Sequence, residues 1–269
     1  MSRSETRTPI SPRRNDPIRV LHLRNASGYY GAERCIVSWI HTLSARGIAF
    51  HLAVYANPDP STADFLGDAR GAGAVVHELP RSHGRILTAL GRIFRVVRSE
   101  KIDLIHAHEN RSHVAGWLIG GLTATPVVGT VHGYVPTRGG SRRMDYLNQL
   151  FLRGRRLSAL TVPSRQLAAE IGVDAHVMPN AVSARLAATP LAALSPPDTP
   201  TFGVVARLSR EKGIRVFLDA VARLPDTWRF VILGEGPERA PLCSHPAASR
   251  VSWDGYRPDA IERMRAWTG

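Results

Sequence analysis

Short apolar segments alternate with longer helix-like segments along most of the chain, and this alternation constrains the fold more than any other feature. Each apolar segment has the length of a buried strand. Up to residue 180 we predict strands at Ile18–Leu23, Phe50–Tyr55, Ala74–Leu79, Asp103–Ala107, Pro126–Val131, Ala159–Val162 and Ala175–Met178. Strands separated by helices form parallel sheets with crossover helices, so the sequence predicts an α/β fold and excludes an all-α or all-β one.

The alternation is interrupted between Asn180 and Pro200, where Ala, Ser, Thr and Pro predominate as they do in linkers. It then restarts with strands at Thr201–Ala206, Trp228–Leu233 and Val251–Trp253, a helix at Lys212–Arg223 and another from Pro258. We therefore predict a disordered tail at 1–16, a complete α/β domain at 17–180, a linker at 181–200 and about half of a second α/β domain at 201–269.

Composition excludes several classes of protein. The two cysteines are too few for a disulfide framework or a cysteine-based zinc site, and no apolar run reaches the roughly 18 residues of a spanning helix. Because the N-terminus also lacks the apolar core of a secretory signal, we expect a cytoplasmic protein. The net charge of +13 would suit nucleic acid, an anionic membrane or phosphate-bearing ligands. No nucleic-acid-binding signature accompanies it, so we expect no nucleic acid partner.

The turn after the first strand contains Gly28 and Gly31 and leads into a helix. Glycine lets backbone amides approach a ligand, and a helix N-terminus favours anionic groups. A tight turn without any ligand explains the same residues equally well, and the spacing matches neither a dinucleotide-binding fingerprint nor a P-loop.

Histidines follow two of the predicted strands. His106 and His108 lie on one face of the strand at Asp103–Ala107, and they suit either a metal site or structural histidines with satisfied hydrogen bonds. His132 and Gly133 end the next strand, where a histidine can bind a substrate hydroxyl or simply pack against the strand end. In an open α/β sheet the carboxyl ends of the strands face the ligand.

Two cations flank the turn after the first strand of the second domain. Arg207 leaves the strand and Lys212 begins the next helix, which would bring a bidentate donor and a point charge together at a helix N-terminus. That combination suits a diphosphate, although a solvated charged turn would look the same. The following strand ends in another glycine-rich loop, which contains Gly234 and Glu235.

In this order, the motifs resemble those of glycosyltransferase family 4, whose members are retaining enzymes with the GT-B fold. The resemblance lies in Gly-Ala-Glu-Arg at 31–34, Ile-His-Ala-His at 105–108, Gly-Thr-Val-His-Gly at 129–133, Val-Pro-Ser at 162–164, Met-Pro-Asn at 178–180, Ala-Arg-Leu-Ser-Arg-Glu-Lys-Gly at 206–213 and Leu-Gly-Glu-Gly-Pro at 233–237. It implies two Rossmann-like domains that close over a nucleotide-sugar.

The resemblance also implies roles for individual residues. Arg207 and Lys212 would neutralise the donor diphosphate, Gly31 would offer its amide to the same phosphates, and His132 would be the catalytic-site histidine beside the transferred sugar. The remaining candidates would line the cleft; they are Gly28, His108, Gly133, Gly234 and Glu235. We expect no metal and no cofactor besides the donor substrate. The expected acceptor is lipid-linked or a polysaccharide, as in bacterial cell-envelope and lipopolysaccharide synthesis.

The sequence departs from the family pattern in three places. Asn180 is followed by Ala instead of Gly, and Tyr30 replaces the first glycine of a common pair. The family's two glutamates separated by seven residues are missing, because no glutamate here is followed by another eight positions later. We therefore expect a C-terminally truncated enzyme with little turnover by itself. The alternative is an inactive module that binds nucleotide, membrane or a partner.

Two basic amphipathic stretches, Gly84–Ser99 and Arg138–Arg156, could bind an anionic membrane surface. Such helices would place the protein peripherally on the inner face of the cytoplasmic membrane. Ordinary domain helices with a solvated charged face would have the same pattern.

Overall fold

The chain divides into two units, Met1–Leu186 and Ala187–Gly269. The computed structural model describes residues 16–26, 28–55, 60–80, 86–133, 157–180, 199–257 and 259–268. All but the last residue of the predicted tail, almost all of the linker and the basic stretch Arg138–Arg156 lie outside the described residues. The domain bounds given above therefore stay predictions.

The N-terminal unit alternates strands and helices. Its strands are β1 (Ile18–Arg24), β2 (Ile48–Val54), β3 (Val75–Glu78), β4 (Leu104–His108), β5 (Val127–Thr130), β6 (Ala159–Val162) and β7 (His176–Val177). Its helices are α1 (Gly31–Ser44), α2 (Pro60–Gly71), α3 (Ile86–Ser99), α4 (Asn110–Thr123) and α5 (Arg165–Ile171).

These seven strands form one parallel sheet in the order β3-β2-β1-β4-β5-β6-β7. The order reverses between β1 and β4, and ligands of doubly wound α/β folds bind at the carboxyl ends of the strands at such a reversal. The register places His22 opposite His106 and Arg24 opposite His108. Polar residues of both strands therefore meet at the reversal.

Apolar side chains fill both faces of this sheet. Leu21 and Leu23 of β1 pack with Ile105 of β4 and with α3 and α4, whereas Val20 packs with α1 and α2 on the other face. Helix α4 lies very close to the sheet, because a Cβ on Gly120 would come within 2.4 Å of a Val127 methyl group.

The C-terminal unit has a three-stranded parallel sheet in the order β10-β9-β8. Its strands are β8 (Thr201–Val205), β9 (Arg229–Leu233) and β10 (Val251–Gly255), and its helices are α6 (Ile214–Val221), α7 (Arg239–Cys243) and α8 (Ala260–Met264), with 3₁₀ turns at Arg210–Lys212 and Ala248–Arg250. The Trp267 indole lies over Gly203 of β8, where an added Cβ would be 2.3 Å from the ring.

All ten predicted strands are present, which confirms the α/β fold with a complete first sheet and a smaller second one. One predicted helix start is wrong: the helix expected from Lys212 begins at Ile214, because a 3₁₀ turn and Gly213 in the left-handed region (φ 65°) precede it.

The exposure of particular residues on α3, α1 and α7 is used in the arguments that follow. In α3, which lies within the predicted basic amphipathic stretch Gly84–Ser99, Ile93 and Val97 are buried, whereas Leu87 is 83% exposed. Cys35 of α1 is buried and Cys243, the last residue of α7, is exposed. None of the described helices is long and apolar enough to cross a membrane.

Candidate functional site

Four histidines cluster where the strand order of the N-terminal sheet reverses. His22 belongs to β1, His106 and His108 to β4, and His132 follows β5 by two residues. Because side chains alternate between the two faces of a strand, His106 and His108 share one face, and the register places His22 on the same face. The prediction that His106 and His108 lie on one face is confirmed.

Three of these imidazoles form a hydrogen-bonded chain. His22 Nδ1 lies 2.8 Å from His108 Nε2, and His108 Nδ1 lies 3.0 Å from His132 Nε2. His22 and His108 are buried, while His132 is half-buried and leads to the exposed Gly133. The chain therefore runs from the interior to the carboxyl end of the sheet.

His106 belongs to a different set of hydrogen bonds. Its Nε2 lies 2.6 Å from Thr130 Oγ1, which in turn lies 2.6 Å from Thr161 Oγ1. His113 of α4 is buried, and its Nε2 donates to the Thr130 carbonyl at 3.2 Å. These bonds join β4, β5, β6 and α4, so His106 and His113 have structural partners.

Burial keeps all four clustered imidazoles neutral. Burial, followed by the neighbouring His132, lowers the pKa of His22 to about 3. Burial, followed by Arg24 and His113, lowers the pKa of His132 to about 4. For His106 and His108 burial and the other histidines hold the pKa well below its ordinary value.

A buried ion pair fixes the turn between β1 and α1. The Glu33 carboxylate has no exposed surface and accepts from Arg24 Nε at 2.8 Å and Nη2 at 2.7 Å. Its other oxygen accepts from the Tyr30 amide at 3.0 Å, which caps α1. Gly31 then begins the helix on the surface, and a Cβ there would meet no atom of the described residues within 4 Å. Among these residues, none crowds the Gly31 backbone.

Glu109 shapes the end of β4. Its backbone has φ 87°, in the left-handed region that costs a non-glycine residue energy. Its carboxylate accepts from the amides of Arg111 and Ser112, both at 3.1 Å, and from the Ser112 hydroxyl. Burial raises the pKa of this carboxyl, which is the opposite of its effect on the histidines.

The histidine cluster also bears on the metal-site hypothesis. Ring nitrogens of His22, His106 and His108 lie within 4.8 Å of one another, a distance compatible with a shared ion. However, His22 and His108 are hydrogen-bonded to each other, and His106 is hydrogen-bonded to Thr130. A metal at this place would have to break part of that arrangement, so the geometry fits structural histidines better.

In the C-terminal unit, the two predicted cations lie around an exposed turn after β8. Arg207 and Lys212 are both exposed, and both lie close enough to Glu211 to help lower the pKa of its carboxyl. The largest cause of that lowering is the hydrogen bond from the Ser209 hydroxyl, at 2.5 Å. The turn thus has a fixed acidic residue between two surface cations.

The loop after β9 packs against this turn through its backbone. A Cβ on Gly234, where φ is 142°, would lie 1.9 Å from the Ala206 carbonyl oxygen, and one on Gly236 would lie 2.3 Å from that of Leu208. The Leu208 amide donates to the Glu235 carbonyl at 3.0 Å. Gly234 is therefore required by close backbone packing beside Arg207.

The structure places the predicted residues as follows. In the N-terminal unit His132, His108, Gly31 and Gly133 lie at the carboxyl end of the sheet; His108 is fully buried and reaches that end through His132. Gly28 is buried beneath the Tyr30 ring. Arg207, Lys212, Gly234 and Glu235 lie together in the loops after β8 and β9 of the C-terminal unit.

Sequence reasoning missed three residues of the site, namely His22, Arg24 and Glu33. His22 interrupts the apolar run of residues 20–23 in the buried middle of β1, which is a signal that could have been used. A glutamate three residues after the helix N-cap is likewise the pattern of a capping box.

Two family models match the chain. The model for Glycosyltransferase Family 4 matches residues 29–186, and the model for Glycosyl transferases group 1 matches residues 199–268. A comparison with curated proteins gives no match.

Several solved structures share the fold at low sequence identity. HepE of Anabaena, in complex with UDP and glucose, has a TM-score of 0.75 and 18% identity over 92% of this chain and 72% of that chain. The apo lipopolysaccharide outer core galactosyltransferase WaaB has a TM-score of 0.61 and 14% identity over 92% and 70%. Sucrose-phosphate synthase of Thermosynechococcus elongatus has a TM-score of 0.63 and 15% identity over 92% and 73%.

Proposed function

Because the chain belongs to glycosyltransferase family 4, we propose that it transfers a sugar from a nucleotide-sugar donor to a lipid-linked or polysaccharide acceptor, with retention of the anomeric configuration. The observation that carries this proposal is the turn after β8, where Arg207 and Lys212 are exposed on a backbone fixed by close glycine packing. The solved structures of HepE contain UDP or UDP-glucose, which makes these the first ligands to test.

Arg207 and Lys212 would bind the donor diphosphate. Arginine offers two parallel N–H donors to phosphate oxygens and lysine offers a compact charge. Both interactions strengthen as the diphosphate gains negative charge on leaving, so they stabilise the transition state more than the bound donor. Because these cations supply the neutralising charge, we expect donor binding to need no metal ion.

His132 and Gly31 would act on the donor from the N-terminal unit. His132 is a neutral imidazole at the carboxyl end of β5, so it can hydrogen-bond a sugar hydroxyl without adding a net charge. None of the described residues crowds Gly31 at the start of α1, which lets a phosphate oxygen approach its amide.

A second candidate function is that of a binding module without turnover. It is favoured by the exposed cations Arg207 and Lys212, which can bind a nucleoside diphosphate whether or not a sugar is transferred. Such a module would still bind a nucleotide through Arg207 and Lys212.

Calorimetry with UDP and with UDP-glucose, with and without EDTA, is the direct test of donor binding. We expect binding that EDTA leaves unchanged, together with release of UDP when acceptor-containing membrane lipid is added. NMR analysis of the anomeric linkage in the product distinguishes retention from inversion. Binding without release would favour the second candidate, and no binding to any nucleoside diphosphate or its sugar would contradict both.

We also propose that α3 binds anionic membrane at the surface. Leu87, Ile86 and Phe94 are exposed on this helix, and Arg95 and Arg98 are exposed beside them. Vesicles rich in phosphatidylglycerol should bind the protein more tightly than phosphatidylcholine vesicles do, and Leu87→Ser should weaken that binding. Leu122→Ser, which changes a leucine 73% exposed on α4, is the matched control. Equal binding of both variants would contradict the proposal.

A further inference from the structure

The chain of three imidazoles ends at the residue assigned to the donor sugar. We propose that His22 and His108 are positioning residues that hold His132 as a hydrogen-bond donor, through Nδ1, toward an oxygen of the substrate. The role toward substrate rests on the proposed function. The proton arrangement of the three rings does not, because it belongs to the N-terminal unit alone.

Only two proton arrangements can join the three rings, because a neutral imidazole has one N–H and one lone pair. In the first, His132 Nε2 donates to His108 Nδ1 and His108 Nε2 donates to His22 Nδ1, which leaves an N–H on His22 Nε2. In the second, both hydrogen bonds are reversed, and the remaining N–H lies on His132 Nδ1.

The surroundings of the two terminal nitrogens of the imidazole chain favour one of these arrangements. Among the described residues, neither His22 Nε2 nor His132 Nδ1 has a hydrogen-bond partner, and both atoms are buried. A buried N–H without a partner is rarer in proteins than an unused acceptor lone pair. The arrangement that leaves an N–H inside the core is therefore the less favourable one, unless a ligand can reach it.

The two ends of the imidazole chain have different surroundings. The His22 ring packs against Trp39 and Phe50, with ring centroids 6.2 Å and 5.4 Å away, and is 1% exposed. His132 instead lies at the carboxyl end of β5 beside the exposed Gly133. The second arrangement places the N–H on His132 Nδ1, at the end of the imidazole chain nearer the surface, and the lone pair on His22 Nε2 among the aromatic rings.

The lowered pKa values of the three histidines agree with this picture. Burial keeps His22, His108 and His132 neutral at pH 7, so each ring carries one N–H. If His108 were protonated, it would donate from both nitrogens and would no longer transmit a preference from His22 to His132.

His106 provides a matched control inside the same cluster. Its ring centroid lies 4.1 Å from that of His108 and 4.9 Å from that of His22. Its hydrogen bond, however, goes to Thr130 Oγ1. His106 therefore contacts the three hydrogen-bonded imidazoles without being hydrogen-bonded to them. Its replacement should not change which nitrogen of His132 carries the proton.

The test is a long-range ¹⁵N–¹H spectrum of the full chain labelled with ¹⁵N-histidine, at pH 7 and without ligand. The resonances of His132 are assigned from their loss in His132→Asn. We expect the Nδ1–H tautomer in the unsubstituted protein. His22→Phe removes the donor to His108, so His132 should then populate both tautomers, whereas His106→Phe should leave it as Nδ1–H.

An Nε2–H tautomer of His132 in the unsubstituted protein would overturn the proposal, and this result does not depend on any variant folding. An unchanged tautomer in a folded His22→Phe would overturn it too, as would stoichiometric Zn²⁺ binding to His22, His106 and His108. If the Nδ1–H tautomer is found but no nucleotide binds, the proton arrangement of the three rings holds, whereas the proposed function and the role toward substrate fail.

Discussion

The two units of this protein place their polar groups differently. Of the 11 histidines, 10 belong to the N-terminal unit and only His245 to the other. The N-terminal unit buries His22, His108 and Glu33 within its core, where His22 is hydrogen-bonded to His108 and Glu33 pairs with Arg24. In the C-terminal unit, the cations Arg207 and Lys212 are exposed on a turn fixed by backbone packing.

This difference separates two ways to build a binding site. Buried polar groups must be hydrogen-bonded or paired, so changing one of them disturbs the fold as well as the site. Exposed cations can be changed with little effect on stability. The N-terminal site is therefore tied to the stability of its unit, and the C-terminal one is not.

The two units should differ most in how much folding stability each loses at low pH. The unfolded chain binds protons at its histidines below about pH 6.5, whereas the folded N-terminal unit keeps His22 and His132 neutral down to about pH 3 and 4. Stability is therefore lost as pH falls below 6.5, by about 2 kcal/mol at pH 5 for each such imidazole. The raised pKa of Glu109 offsets part of this loss, because the folded unit binds a proton at that carboxyl more readily than the unfolded chain does. Urea unfolding at pH 7 and pH 5, followed through NMR signals of each unit, measures the contrast.

If both units lost the same stability at pH 5, the buried histidines would not make the N-terminal unit the more acid-sensitive one. Replacing His22 by Phe should reduce the loss in the N-terminal unit, because one buried imidazole is then removed.

The next largest effect is expected for Glu33→Ala. Removing one partner of a buried ion pair costs about 3 to 5 kcal/mol, because Arg24, with its side chain 14% exposed, would lose its carboxylate. The control is Glu78→Ala, which breaks the exposed pair with Arg70 and should cost less than about 1 kcal/mol. Urea unfolding of both variants tests this, and similar costs would show that the buried pair contributes no more than a surface pair.

In the C-terminal unit, a comparable loss of stability should follow from replacing Gly234. Gly234→Ala would force a Cβ against the Ala206 carbonyl oxygen and should destabilise that unit by about 1 to 3 kcal/mol. Gly31→Ala, whose Cβ would enter open space, is the control and should leave unfolding unchanged. Differential scanning calorimetry of both variants checks the difference. A Gly234→Ala protein of unchanged stability would contradict the packing role of this glycine.

The smallest effect on stability is expected for Arg207→Ala and Lys212→Ala. Both residues are exposed, so stability should change by less than about 0.5 kcal/mol. Affinity for UDP should fall about tenfold in each, because a charged hydrogen bond is lost. Arg229→Ala, at the amino end of β9, should change neither quantity. Unchanged UDP affinity in both variants, measured by calorimetry, would remove the diphosphate assignment.

Much of the fold followed from the sequence. Strands buried on both faces are nearly continuous apolar runs, so all ten could be placed. Lys212 was wrongly assigned to a helix, because it belongs to a 3₁₀ turn and Gly213, in the left-handed region, separates that turn from α6.

The site could be predicted only in part. His132 and His108 occur in short motifs that point to a strand end, but the partners of His108 depend on register. His22 lies 86 residues earlier in the chain, and its contact with His108 exists only because β1 pairs with β4. Local sequence holds no information on that pairing. The same limit hid the contact of Arg24 with the His108 carbonyl, 84 residues away.

The two cysteines give each unit its own chemical reporter. A thiol reagent reaches the exposed Cys243 of α7 directly, but it reaches the buried Cys35 of α1 only when the N-terminal unit opens. Once Cys243 is blocked under native conditions, the rate of Cys35 modification measures that opening without any denaturant. Comparing the rate with and without UDP would then show whether a ligand of the C-terminal cations also stabilises the histidine-bearing unit.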